Sequence, residues 1–182
     1  MNPKFINSVA MLVAVLLFNS LFVQLTRAQA TDPIETIRQH YAAINKNVTL
    51  YRRVKKDLSG YSAEGGELIA YFHGPTIMKI AATFFGETGK TMEEYYYWDG
   101  KLIFVFRREA HYDKPLSGKV VSTIENRLYF KDDKMIRWID ENGKEVAAGS
   151  TEFAEKEKDY LKSSKEFSEG ARGSSPTVRE GL

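Results

Sequence analysis

The chain contains three histidines, His40, His73 and His111, and no cysteine. Thiol nucleophiles, disulfides and cysteine metal sites are therefore excluded, and any imidazole chemistry must run through one of three residues. His73 and His111, with Glu109 and Asp113, are the side chains that could join in a metal or acid–base site. None of the spacings that put two imidazoles on one face (H-x-H, H-x-x-x-H or H-E-x-x-H) is present. His111-Tyr112-Asp113 falls where a strand should end, so solvated polar residues are the simpler expectation there.

Two glycine motifs approach known chemistry and stop short of it. Gly86-Glu87-Thr88-Gly89-Lys90-Thr91 ends like a phosphate-binding loop. Phe84 occupies the place of its first glycine, and strand-like residues follow where a helix should open. It reads as a tight turn. Gly60-Tyr61-Ser62-Ala63-Glu64 nearly forms a nucleophile elbow, but Glu64 stands in the final glycine position, outside any strand-to-helix context. No cofactor and no metal are expected. Glu93 and Glu94 are neighbours on a strand, so they point to opposite faces and cannot work as a paired acid and base. Arg107 diagonal to Glu94, or a lysine of a neighbouring strand, is the expected partner.

The constellation best suited to holding a ligand is Tyr96, Trp98 and Arg107, an arginine beside two aromatic rings. A hairpin must position it. Asp99-Gly100 is a strong two-residue turn signal between two apolar-aromatic runs, because a type I′ turn needs positive φ at both positions. Simple pairing sets Trp98 against Lys101, Tyr97 against Leu102, Tyr96 against Ile103 and Tyr95 against Phe104. One face then carries Tyr95, Tyr97, Leu102, Phe104 and Phe106. The other carries Glu94, Tyr96, Trp98, Ile103, Val105 and Arg107. Neither face is polar, so the hairpin is covered on both sides or its second face is a groove.

The rest of the chain builds around that hairpin. Asp32-Pro33-Ile34-Glu35 starts a helix with a cap, a proline at its first position and a capping-box spacing. Ile34, Ile37, Tyr41, Ile44, Val48 and Tyr51 form its apolar stripe, ending near Asn47 or running on to Leu58. Strands are expected at 67–73, 76–85, 90–98, 101–112, 120–131 and 134–140, rich in aromatic and β-branched residues. Short turns at Gly74-Pro75, 86–89, Asp99-Gly100 and Asp132-Asp133 join them into an antiparallel meander. A second two-residue turn at Asp132-Asp133 would set Arg127 opposite Trp138 and allow a cation–π contact. The hairpins around 95–103 and 127–136 share aromatics, an acidic turn, a lysine and then aliphatics. Residues 150–167 form a C-terminal helix with Phe153, Tyr160 and Phe167 on one stripe. The fold class is α+β: a meander of about six strands with the N-terminal helix on one face and a C-terminal helix.

Residues 9–18 are an unbroken apolar run of ten, followed by Ala28-Gln29-Ala30. That is the pattern of a signal peptide with cleavage after Ala30, in preference to an anchor over 5–25. Lys4 and Arg27 are the only charges in 1–30, so the net charge of +2 lies wholly in that segment and the remainder is neutral. A neutral domain gives no reason to expect nucleic acid or anionic membrane as partner. The expected organisation is residues 1–30 as signal peptide, 31–167 as one domain and 168–182 as a Gly/Ser/Pro-rich disordered tail. Export without cysteine points to the periplasm or to secretion.

The stretch 57–139 resembles a group of uncharacterised exported bacterial proteins. The resemblance is carried by Asp57-Leu-Ser-Gly-Tyr-Ser-Ala-Glu-Gly-Gly66, Gly86-Glu-Thr-Gly-Lys90, Tyr96-Tyr-Trp-Asp-Gly-Lys-Leu102 and Glu125-Asn-Arg-Leu-Tyr-Phe130. It covers about half of the chain after Ala30 and implies no activity and no functional residues. The sequence thus supports a non-enzymatic envelope module whose aromatic-lined sheet face binds a small molecule or an envelope protein. Membrane contact is expected only through residues 1–30, were they retained. One alternative is a hydrolase-like enzyme around His73, His111 and Asp113. Another is an assembly partner docking through the C-terminal helix.

Overall fold

The computed structural model describes residues 32–173 and 177–178. The expected signal segment 1–30 therefore lies outside the described residues. Helix α1 spans Pro33–Lys46. Of its two expected ends, the one near Asn47 is observed and the continuation to Leu58 is not. The Asn47 side chain donates to the Ala43 carbonyl at 2.9 Å, and a 3₁₀ turn, Val48–Leu50, leads the chain away.

Seven strands follow in sequence order: β1 Arg52–Ser59, β2 Gly66–His73, β3 Thr76–Gly86, β4 Gly89–Trp98, β5 Lys101–Tyr112, β6 Val120–Lys131 and β7 Lys134–Ile139. Each pairs antiparallel with the next, giving one meander sheet. A two-residue strand β8, Thr177–Val178, adds in parallel beside Leu58 and Ser59. Six of the strands fall where expected. Strand β1 was not expected, and it rules out the alternative in which the helix runs on to Leu58. Only Val54 and Leu58 are apolar in Arg52–Ser59, too few for the period-two pattern to stand out. Its paired arginines and lysines, Arg52-Arg53 and Lys55-Lys56, suit a strand near a sheet edge.

Helix α2 runs Thr151–Arg172, capped by Ser150, whose hydroxyl accepts from the Phe153 amide at 3.2 Å. It reaches five residues past the expected end at Phe167, and Ala171 is buried against the sheet. Residues 168–172 are thus helix, not tail. The reason lies in Tyr97. Its buried hydroxyl meets the Ser164 hydroxyl at 3.0 Å and accepts from Ser168 at 3.3 Å. Ser164 lies within the expected helix, and Ser168 gives the buried phenol a second partner beyond Phe167, so Tyr97 favours continuing the helix.

The two helices cover opposite faces. Under α2 lie Leu58, Leu68, Ile80, Tyr95, Tyr97, Val105, Leu128, Phe130 and Trp138, with Phe153, Tyr160 and Phe167 of the helix. Under α1 lie Tyr96, Ile103, Phe104 and Tyr129, with Ile37 and Ile44. The hairpin is therefore covered on both sides.

Its register departs from simple pairing. Trp98 faces Lys101 and Tyr97 faces Leu102 as expected, but Tyr96 then pairs with Phe104 and Tyr95 with Val105. Ile103 is the extra residue of a bulge, two residues of β5 against one of β4. Ile103 and Phe104 consequently both face α1, and every later residue of β5 changes sides. The hairpins β2–β3 and β6–β7 carry the same device, with breaks at Tyr71/Phe72 and Tyr129/Phe130. The likeness expected between the β4–β5 and β6–β7 hairpins therefore includes a shared bulge. The extra residues, Met78, Ile103 and Ile136, all join the α1-side core. In β6–β7 the bulge sets Arg127 against Ile139 and Leu128 against Trp138. The expected Arg127–Trp138 contact is replaced by Arg127 over Phe106, 5.6 Å from its centroid. Trp138 instead donates to Asn126 Oδ1 at 2.9 Å.

Candidate functional site

The bulge separates the constellation expected at the second face of the hairpin. Tyr96 is buried beneath α1, with the Tyr41 ring 4.8 Å from its own. Trp98 stacks on His40 of α1 at 3.8 Å. The groove expected at these two residues is filled by the helix. Arg107 lies on the other face, directly opposite Glu93 rather than diagonal to Glu94.

On that α2 face a cleft of about 500 Å³ opens beside the helix. Strand pairing explains its floor. Glu93 pairs with Arg107, Thr91 with Glu109 and Gly89 with His111, so alternate residues of β4 and β5 point into it together. Gly89 admits no side chain, because a Cβ there would lie 2.2 Å from the Ala110 carbonyl oxygen. The glycines of Gly86-Glu-Thr-Gly89 thus serve close strand approach and leave room in front of His111. Tyr61, Phe84 and Phe167 form an aromatic wall, with ring centroids 5.5–6.3 Å apart. A smaller cleft of about 320 Å³ shares Glu93, Arg107 and Ser163 with the first.

Glu93 is the most deeply placed of the polar groups. Tyr95 Oη donates to its Oε2 at 2.6 Å, and Arg107 Nε stands 3.7 Å from Oε1. Burial raises the Glu93 carboxyl above its ordinary range, against the lowering effects of the Tyr95 hydrogen bond and the Arg107 charge. Arg107 donates to Glu109 Oε2 at 2.6 Å, and His111 Nε2 lies 3.5 Å from Glu109 Oε1. Burial favours the neutral form of Arg107, but Glu109 and Glu93 outweigh it and hold the guanidinium charged. The result is a chain of contacts, Glu93–Arg107–Glu109–His111, running from the buried floor to the cleft mouth. Such an array can accept and donate hydrogen bonds to a polar ligand. It also sets a carboxyl raised by burial beside a guanidinium-bound carboxylate.

The cleft gathers some of the sequence candidates and leaves out others. Arg107, Glu109 and His111 meet in it. His73 ends β2 opposite Thr76, where β3 begins, whereas Gly86 at the far end of β3 adjoins Gly89, the partner of His111. The two histidines are thus a full strand apart. Asp113 is held in the β5–β6 loop by the Ser117 hydroxyl at 2.6 Å and by Lys119 at 3.2 Å, and these contacts lower its carboxyl from the ordinary range. Ser62, at the rim, donates to the Gly65 carbonyl and so closes its own loop. Among the described residues no group of three or more His, Asp and Glu is arranged to hold a metal ion.

Glu93 entered the sequence reading only as half of a rejected acid–base pair, and Tyr160, which hydrogen-bonds Glu93, only as part of the helix stripe. Two signals were available. Glu93-Glu94-Tyr95-Tyr96 places each tyrosine two residues beyond a glutamate, on the same strand face. Tyr160 is the one hydroxyl-bearing ring in the Phe153–Tyr160–Phe167 stripe. No protein-family model, curated protein or solved structure matches the chain.

Proposed function

We propose that this protein is a non-enzymatic binding module of the bacterial envelope, and that it holds a small, uncharged, hydroxyl-rich ligand in the cleft beside α2. The observation that carries the reading is the juxtaposition of the Glu93–Arg107–Glu109 array with the Tyr61–Phe84–Phe167 wall across one cleft. Lys90, Arg107, Glu93 and Glu109 balance in charge when all are ionised, which favours a ligand without net charge. Carboxylates and a guanidinium offer paired acceptors and donors to hydroxyls, and the rings offer an apolar surface to a sugar face. The export pattern of residues 1–30 supports placement in the periplasm or outside the cell. Ligand binding through Tyr96 and Trp98 finds no support, since α1 covers them. The C-terminal helix has its aromatic stripe taken up by the sheet, which removes the feature that favoured an assembly partner.

Calorimetric titration of the full chain with a panel of neutral mono- and disaccharides tests this. At least one is expected to bind saturably, and Glu109→Gln is expected to weaken it about tenfold by removing a charge-assisted acceptor. A panel without saturable binding, or binding indifferent to Glu109→Gln, would sink the proposal.

One observation favours a hydrolytic enzyme as the second reading. Burial raises the Glu93 carboxyl above its ordinary range while Glu109 is ion-paired in the same cleft, and two carboxyls in unlike settings can divide the work of an acid and a base. Chromogenic glycosides distinguish the two: turnover abolished by Glu93→Gln supports the enzyme, and binding without turnover supports the module.

A further inference from the structure

We infer that the α1 face carries a second binding site, for a small organic anion with a flat apolar body. It lies across the sheet from the α2-face cleft and does not depend on the reading given to that cleft. Next to the first half of α1, a groove of about 340 Å³ opens between the helix and strands β5 and β6. Three cross-strand pairs build its floor: Phe104 with Tyr129, Phe106 with Arg127, and Arg108 with Glu125. The Phe104 and Tyr129 rings lie 4.9 Å apart, and Tyr41 of α1 meets Phe104 edge-on at 5.4 Å.

The charge of the groove is unbalanced. Arg108 Nε and Nη2 both donate to Glu125 Oε1, at 3.1 and 2.9 Å, and Arg127 Nη2 donates to Oε2 at 2.7 Å. One carboxylate thus serves two guanidiniums. A guanidinium has five N–H donors and stays charged, so this pair keeps one surplus positive charge and unused donors. Both lie over the same ring, at 5.2 and 5.6 Å from the Phe106 centroid. Arg38 adds a third guanidinium from α1. Its contact with Glu35 is 3.9 Å long and exposed, too weak to neutralise it.

This geometry selects a particular chemistry. A carboxylate, sulfonate or phosphate can take the unused donors of Arg108 and Arg127 in forked contacts. A flat apolar body attached to it can cover Phe106 and Tyr41. A neutral flat molecule gains only the ring contact, and an inorganic anion gains only the charge.

The test compares two probes of nearly equal shape, 1-naphthoate and the neutral 1-naphthalenemethanol, titrated into the full chain and followed by calorimetry and NMR. Naphthoate is expected to bind saturably and about tenfold or more tighter than the alcohol, as a charge-assisted hydrogen bond requires. Its shift changes should centre on residues 104–108 and 125–129. Arg127→Gln should bring the two affinities together. Equal affinities in the wild type, no saturable binding, or shifts centred on Glu93 and Arg107 would overturn the inference. The wild-type comparison decides the matter even if Arg127→Gln does not fold.

Discussion

The adjacent glutamates Glu93 and Glu94 make a controlled comparison between the two faces of one sheet. Each accepts a hydrogen bond from the tyrosine two residues on, at 2.6 Å for Glu93–Tyr95 and 2.7 Å for Glu94–Tyr96. On the α1 face a buried lysine completes the arrangement. Lys79, 8% exposed, reaches Glu94 Oε1 at 2.6 Å, and Asn45 of the helix accepts from Tyr96 at 3.2 Å and from Lys79 at 3.4 Å. On the α2 face the cation stands 3.7 Å from Glu93, bonds Glu109 more closely, and the group opens onto a cleft. The same two-residue motif is thus tied to a buried lysine on one face and to a half-buried arginine beside a cleft on the other. What differs is the third partner, a lysine and a helix asparagine in one case and a shared arginine in the other.

The bulge fits Ile103 into the α1-side core without changing the pairs on either side of it, so removing it should have the largest effect. Deleting Ile103 would leave Leu102 against Tyr97, Phe104 against Tyr96 and Arg107 against Glu93, each on its present face, and would take a buried isoleucine out of the core. A loss of ~4 kcal/mol is expected in urea unfolding. A loss under ~1 kcal/mol would mean that Ile103 contributes little to the α1 face.

Separating the two cations comes next. Lys79→Met leaves half-buried Glu94 without its ion-pair partner and should cost ~3 kcal/mol in urea unfolding. Arg107→Met should cost less, ~1–2 kcal/mol, because Glu93 can keep a proton and Glu109 can turn toward solvent. Equal losses would erase the distinction drawn between the faces.

The smallest effect is in pH dependence. An ordinary glutamate titrates near 4.5, and Glu93 is raised above that in the folded protein. The native state therefore holds this proton more tightly than the unfolded chain. The stability it contributes is complete below the unfolded value and is lost as pH rises through the folded one. Glu93→Gln keeps an acceptor for Tyr95 and has nothing to titrate. Its urea midpoint should gain on the wild type from about pH 4.5 upward, reaching a plateau once Glu93 is ionised. A constant difference across that range would show that Arg107 fully offsets the burial of Glu93.

Much of the scaffold was legible because it rests on local pattern. Asp99 and Gly100, at φ 49° and 76°, adopt the conformation that the Asp-Gly pair announces. The α1 stripe and its start at Pro33 follow from helical period and a proline at the first position. The candidate site was legible only in pieces. Arg107, Glu109 and His111 were each noticed, but in separate groupings, Arg107 with Tyr96 and Trp98, and His111 with His73 and Asp113. Strict alternation predicts the wrong face for everything on β5 beyond Ile103, because a bulge leaves no obvious mark among Leu102, Ile103, Phe104 and Val105. All four are large and apolar, and either register buries them.

By itself the sequence determined the elements: six of the seven strands, both helices, the turns, and the placement of Glu93 and Glu94 on opposite sides. These depend on backbone preference and on periods of two and 3.6 residues, which act over a few positions. Tertiary structure alone decided which side carries Arg107, which glutamate meets a buried lysine, and where the cleft lies. Those outcomes turn on partners far apart in the chain: Lys79 for Glu94 and Asn45 for Tyr96, Arg107 and Tyr160 for Glu93. A one-residue bulge is settled by the packing of both helices on the whole sheet at once, and no short stretch of sequence carries that balance.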